Sequence, residues 1–141
     1  LDVSRIVRGT LQLNFASVNL EEVVEAAIET IRPVAEAKPL ELKTQLQSIA
    51  PIWGDFSRLQ QVILNLLTNS IKFTPAGGQV QVLLDWHNAG VRLQVRDTGK
   101  GISPEFLPHI FERFRQDRQN ATAKQGLGLG LAIVKYIVEQ H

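Results

Sequence analysis

Cysteine is absent from the 141 residues, which excludes disulfides, thiolate metal sites and cysteine nucleophiles. Strong charge of either sign is absent too: 15 Lys and Arg against 14 Asp and Glu leave a formal net charge of +1. So weak a field gives no reason to expect nucleic acid or an acidic surface as a partner. No stretch approaches the roughly 20 uninterrupted apolar residues of a membrane span, and the N-terminus lacks a signal-peptide pattern. The segment is therefore expected to be cytoplasmic, whether or not a parent protein is anchored in a membrane. What is present is 44% hydrophobic residues, enough over this length for one domain with a real core.

Both ends look cut. LDVSRIVRG carries an apolar stripe at Leu1, Ile6 and Val7 and stops at Gly9, as the last turns of a helix arriving from upstream would. At the other end Leu131, Val134, Ile137 and Val138 recur at helical spacing, and no cap follows before His141. Between these, LQLNFASV alternates enough for a short strand. Asn19 can cap a helix, with Glu22 in capping-box position and a stripe of Leu20, Val23, Val24, Ala27, Ile28, Ile31 and Val34. Leu40 to Leu46 alternates as a strand, and Pro51 with Gly54 suggests a turn. Asp55 can cap a helix running to about Phe73, ended by Pro75, Gly77 and Gly78. A hairpin follows, with Val80, Val82, Leu84 and Trp86 on one face, a turn at Asn88, Ala89 and Gly90, and Val91, Leu93 and Val95 opposite. Ser103-Pro104-Glu105 reads as a helix start, and Arg115 to Gln125 as an exposed loop. Helices and strands in mixed order around one hairpin favour an α/β two-layer sandwich, a mixed sheet with helices on one face, over a Rossmann fold.

Three features carry chemistry. On the helix after Asp55, Arg58, Gln61, Asn65, Asn69 and Lys72 fall three or four residues apart and form one polar stripe. Such a stripe can simply face water. Two carboxamides a turn apart, ending in a lysine, also suit a magnesium ion that takes most of its ligands from phosphates and waters, with Lys72 neutralising phosphate charge. Asp97 shares strand parity with Val91, Leu93 and Val95, so its carboxylate faces the core side and needs donors. It is either a turn aspartate or an acceptor for an exocyclic amino group. Gly99 and Gly101 let backbone approach something flat or bulky. Gly126, Gly128 and Gly130 at a helix start can offer amides to phosphate, or serve as a hinge. No Walker A motif is present, since Lys100 lies in the wrong context.

In this order the segments resemble a known family. NLLTNSIKFTPAGG resembles the N box of the histidine kinase branch of the GHKL ATP-binding superfamily. DTGKGIS is similar to its first glycine box, IFERF to its F box and GLGLGLAIVK to its second glycine box. LDVSRIVRGTLQL resembles the junction with the second dimerisation helix. The resemblance implies a sandwich of Bergerat type, with residues 1–9 ending that helix and residues 10–141 forming a catalytic ATP-binding domain. It implies that Asn69 coordinates magnesium, that Asn65 lies beside the triphosphate, and that Lys72 touches it. Asp97 would accept from the adenine amino group, with Gly99, Gly101 and Ile102 shaping the base pocket. Gly126, Gly128 and Gly130 would hinge a lid and meet the phosphates. Phe111 and Phe114 would dock that lid, with plain core packing as the competing reading.

Asparagine at position 65 matters chemically. Relatives that hydrolyse ATP have glutamate there as the base for water, and asparagine cannot take a proton at neutral pH. The resemblance therefore implies phosphoryl transfer from ATP to an imidazole on an upstream dimerisation domain, for relay to a response regulator receiver domain, in a homodimeric parent. The chain's own His87, His109 and His141 are not in a phosphoacceptor context. The sequence departs from the family pattern at Leu127, where a hydroxyl residue is usual, and after the F box, where Arg113, Arg118 and Lys124 remain candidates for the lid's cation beside Arg115 and Gln116. The family also continues with two further strands; without them the chain is expected to be less stable and to expose a sheet edge. A regulatory nucleotide-binding module without transferase activity, and an interaction module that binds none, are the readings from other classes.

Overall fold

The computed structural model describes residue 9, residues 11–112 and residues 130–141. In chain order the elements are β1 (Ala16–Val18), α1 (Leu20–Ala37), β2 (Glu41–Leu46), β3 (Ile52–Gly54), α2 (Phe56–Phe73), β4 (Gln79–His87), β5 (Gly90–Asp97), a 3-10 turn (Leu107–His109) and α3 (Gly130–Gln140). Among the described residues the main sheet runs β2-β4-β5, with β2 parallel to β4 and β4 antiparallel to β5. β1 and β3 pair antiparallel in a separate ribbon.

One face of this sheet is apolar and covered. Val80, Val82 and Leu84 on β4 are fully buried against Ile63, Leu67 and Ile71 of α2 and Val23, Val24 and Ala27 of α1. Burying a side chain of this size contributes about 1.5–3 kcal/mol, so these positions hold the two layers together. α2 has a second apolar face, and the reason is visible. Val62 packs with Leu11 and with Val134 and Ile137 of α3. Sandwiched between the sheet layer and α3, α2 is apolar over most of its circumference while keeping one polar stripe.

The caps expected from sequence are present. Asn19 accepts from the Glu21 amide at 3.0 Å, and Asp55 accepts from the Arg58 amide at 3.0 Å. Asp55 does more than cap: its second oxygen accepts from the Asn14 amide at 2.8 Å. Its own amide donates to His141 Nε2 at 3.1 Å, while Nδ1 of that ring contacts the Ile137 carbonyl at 2.8 Å. One buried aspartate thus ties the entering chain and the end of α3 to the start of α2.

Several expectations are corrected. The strand expected over LQLNFASV shrinks to Ala16–Val18, because Leu11 goes into the second core and the Asn14 amide goes to Asp55 rather than to a strand partner. The turn at Pro51 and Gly54 contains strand β3, too short to announce itself. Val34 is 51% exposed and Ala35 is buried in its place, since 3.6 residues per turn carry the stripe from Ile31 to position 35. In α3, Val138 is exposed although Val134 and Ile137 are buried. The helix expected at Ser103 is one turn followed by the 3-10 turn. Pro108 has no amide for the Pro104 carbonyl, and its ring would clash there.

The hairpin follows its alternating pattern with one revision. Gly90 pairs with His87, so the turn is made by Asn88 (φ 49°) and Ala89 (φ 64°). Positive φ at both central residues matches the tight turn that suits strand twist, at a steric cost for alanine. On the uncovered face Arg92 grips the paired Asp85 at 2.8 and 3.1 Å, and those hydrogen bonds hold the Asp85 carboxyl below the usual carboxylate range.

Candidate functional site

The polar stripe of α2 survives folding. Asn65, Asn69 and Lys72 are half-buried, on the same helix whose Ile63, Leu67 and Ile71 pack into the main core. Asn65 Nδ2 donates to the Gly130 carbonyl at 3.3 Å, which joins the stripe to the first residue of α3. That bond uses a donor of the carboxamide and not its oxygen. The Lys72 ammonium lies 5.6 Å from the centre of the Phe73 ring, within the range of a cation–π contact. Partial burial lowers the Lys72 pKa from its ordinary value, because the charged form loses water; an anion beside it would reverse that shift.

β5 delivers the second component to the same end of α2. Asp97 pairs in register with the fully buried Val80, which confirms its side of the sheet. It stands at the strand end, however, and is exposed rather than enclosed. Its Oδ1 accepts from the Gly99 amide at 2.9 Å, the turn-aspartate geometry. One acceptor oxygen is thereby oriented by the loop, and the carboxylate can still meet an external donor.

Gly99 lies close against the end of α2. A Cβ placed there would lie 2.6 Å from the Phe73 carbonyl oxygen and 3.0 Å from Asp97 Oδ1. What the backbone approaches at Gly99 is the protein's own α2, so the glycine seats the Asp97 loop on the end of the polar stripe. Gly101 adopts φ +77° with open space around it, a left-handed conformation that favours glycine. Ile102 is exposed beside it, at 47%. Gly130 opens α3 with nothing within 4 Å of a built Cβ. Gly126 and Gly128, like Phe114, Arg115, Leu127 and the candidate lid cations Arg113, Arg118 and Lys124, lie outside the described residues, as does the segment 1–8. Phe111 is 43% exposed, which removes core packing as the reading for that residue. His87 and His109 hydrogen-bond their near neighbours Asn88 and Glu112 at exposed positions, as surface histidines do.

Sequence reasoning missed Lys38. It follows α1 directly, and its Nζ donates to the Ile71 carbonyl at 2.7 Å and the Lys72 carbonyl at 3.1 Å. No periodicity could have found it, since the contact joins two helices far apart in the chain.

Comparisons with known proteins give the family. Residues 54–141 match the family described as histidine kinase-, DNA gyrase B- and HSP90-like ATPase. The non-motile and phage-resistance protein of Caulobacter vibrioides is 39% identical over a 146-residue alignment that takes in this whole chain and 17% of that protein. The circadian input-output histidine kinase CikA of Thermosynechococcus vestitus is 37% identical, again over the whole chain and 20% of its own length. The chain thus spans a fifth or less of these curated relatives. Among solved structures, the mycobacterial sensor histidine kinase MprB superposes with a TM-score of 0.79 at 33% identity, covering 91% of this chain and 80% of that one. Full-length ShkA in complex with AMPPNP gives 0.82 at 34% identity, over 98% of this chain and 29% of that one. The stripe, the loop seated on it and these likenesses converge: the chain belongs to the histidine kinase-, DNA gyrase B- and HSP90-like ATPase family, as an ATP-binding catalytic domain of the sensor histidine kinase kind.

Proposed function

We propose that this domain holds ATP with magnesium and presents the γ-phosphoryl group to a histidine on an upstream dimerisation domain, in a homodimeric cytoplasmic protein that passes the group on to a response regulator. The observation that carries the reading is the meeting of two motifs: the Asp97–Gly101 loop rests on the end of the helix that bears Asn65, Asn69 and Lys72. Asp97 would accept from the adenine amino group, with Gly99, Gly101 and Ile102 around the base. Lys72 would neutralise phosphate charge, and Gly126, Gly128 and Gly130 would offer amides to the phosphates.

The donor set fits magnesium. Among the described residues no three His, Cys, Asp or Glu side chains cluster as a protein-only metal site. A carboxamide oxygen from Asn69, with phosphate oxygens and waters completing the shell, is the pattern magnesium accepts. When bound, the ion would neutralise charge that develops on the phosphates. Asn65 can donate and accept hydrogen bonds but cannot remove a proton from water. The domain is therefore arranged for transfer and not for hydrolysis. A nitrogen–phosphorus bond forms on the incoming imidazole, the bond from the γ-phosphorus to its bridging oxygen breaks, and ADP leaves.

The experiment is transfer of label from γ-labelled ATP, with magnesium, to a dimerisation domain joined upstream of this chain. The expected product is an acid-labile phosphohistidine on that domain and none on His87, His109 or His141. Release of free phosphate with no labelled histidine would contradict the proposal.

A further inference from the structure

The last turn of α2 ends in a way that its polar stripe does not explain. The final carbonyls of a helix have no intrahelical partners, and glycine in a left-handed conformation is a common remedy. Here the chain leaves through Thr74 in an extended conformation, φ −101° and ψ 122°. Side chains take over. The buried Thr74 hydroxyl donates to the Ser70 carbonyl at 2.6 Å. Lys38 reaches across from the end of α1 to the next two carbonyls, Ile71 at 2.7 Å and Lys72 at 3.1 Å. The connection that carries Lys38 is itself braced against the one leaving α2. The Gly77 amide donates to the Pro39 carbonyl at 3.0 Å, and the Glu41 amide to the Gly78 carbonyl at 3.0 Å.

Charge gives this arrangement a consequence for ligands. The C-terminal end of a helix carries roughly half a negative charge, which disfavours anions within its last turn. Lys72 sits in that turn and Asn69 just before it. An anionic phosphate chain drawn to this stripe therefore approaches the unfavourable end of the α2 dipole. The Lys72 side chain is partly desolvated already. A second positive charge, placed directly on the carbonyls that create the negative end, would remove the conflict.

We infer that Lys38 is a positioning residue of the nucleotide site: held on the Ile71 and Lys72 carbonyls, its ammonium cancels the negative end of α2 and fixes the turn that bears Lys72. It acts through α2 and does not touch the ligand. The inference rests on the nucleotide-binding reading above. It separates from a mere structural staple by one property, since a charge effect must grow with the charge of the ligand.

The test titrates adenosine, ADP and a non-hydrolysable ATP analogue into the wild-type chain, Lys38→Arg and Lys38→Gln, with circular dichroism checking that each variant is folded. Lys38→Leu serves as the second uncharged variant should Lys38→Gln not fold. Lys38→Arg is expected to bind all three as the wild type does. The uncharged variant is expected to keep its adenosine affinity, to lose about three-fold for ADP and to lose about ten-fold for the ATP analogue, in line with charges at helix ends. An equal loss for all three ligands, or no loss, with the wild type binding normally, overturns the inference and leaves Lys38 a staple. A folded wild type that binds none of the three overturns the nucleotide-site reading, and this inference with it.

Discussion

Gly99→Ala is expected to abolish high-affinity nucleotide binding and to destabilise the domain. The added Cβ would lie 2.6 Å from the Phe73 carbonyl oxygen and 3.1 Å from its carbon, both backbone atoms at the end of α2. Backbone cannot swing aside as a long side chain can, so the loop must lift from the helix. Overpacking of this kind costs about 1–3 kcal/mol. The cost falls where it matters, because the Gly99 amide also orients Asp97 through its 2.9 Å bond. Two glycines provide the contrast. Gly130→Ala meets open space at the first residue of α3, so it is expected to change stability little. Gly101→Ala meets no atoms but must hold φ +77°, a strain of about 1–2 kcal/mol. Denaturant unfolding and nucleotide titration of the three variants check the ranking. A Gly99→Ala protein as stable and as tight-binding as the wild type would show that the close approach is not needed.

The second large effect belongs to Asp97→Asn. The substitution is nearly isosteric, and the asparagine oxygen can still accept from the Gly99 amide, so the turn should persist and stability should change by only about 0.5 kcal/mol. What changes is the other side-chain atom, from an acceptor to a donor. Faced with an adenine amino group, two donors would meet, and the unsatisfied pair costs about 1–3 kcal/mol. The expected loss is therefore roughly 10- to 100-fold in affinity for ATP analogues, with discrimination against guanine nucleotides weakened at the same time. Comparative titration with adenine and guanine nucleotides reads both. Unchanged affinity would mean that Asp97 serves its own turn and nothing else.

Asp97 also marks how far sequence reasoning reached. Period-two alternation placed it on the same side as Val91, Leu93 and Val95, and its register with buried Val80 agrees. Alternation says nothing about where a sheet ends, so the exposure of that carboxylate could not be read in advance. The stripe of Asn65, Asn69 and Lys72 was legible because helical spacing alone places those residues on one face. Asp55 was legible as a cap, but its bonds to Asn14 and its link to His141 depend on chain segments that meet only after folding. The same holds for Lys38 on α2 and for Gly99 against Phe73. Local signals misled where two of them competed: Pro104 announced a helix that Pro108 stops after one turn, and Gly90 read as a third turn residue beside Asn88 and Ala89 although it pairs with His87.

Stripe, loop and cap make one claim, that α2 and the Asp97 loop together form a magnesium-dependent adenine nucleotide site. The measurement that bears on it most directly is calorimetric titration of a non-hydrolysable ATP analogue into this chain, with and without magnesium, repeated for Asn69→Ala. Binding that magnesium strengthens in the wild type, with most of that gain lost in Asn69→Ala, is the expected result. A folded chain that binds no analogue, or binds it equally well whether or not magnesium and Asn69 are present, would contradict the account.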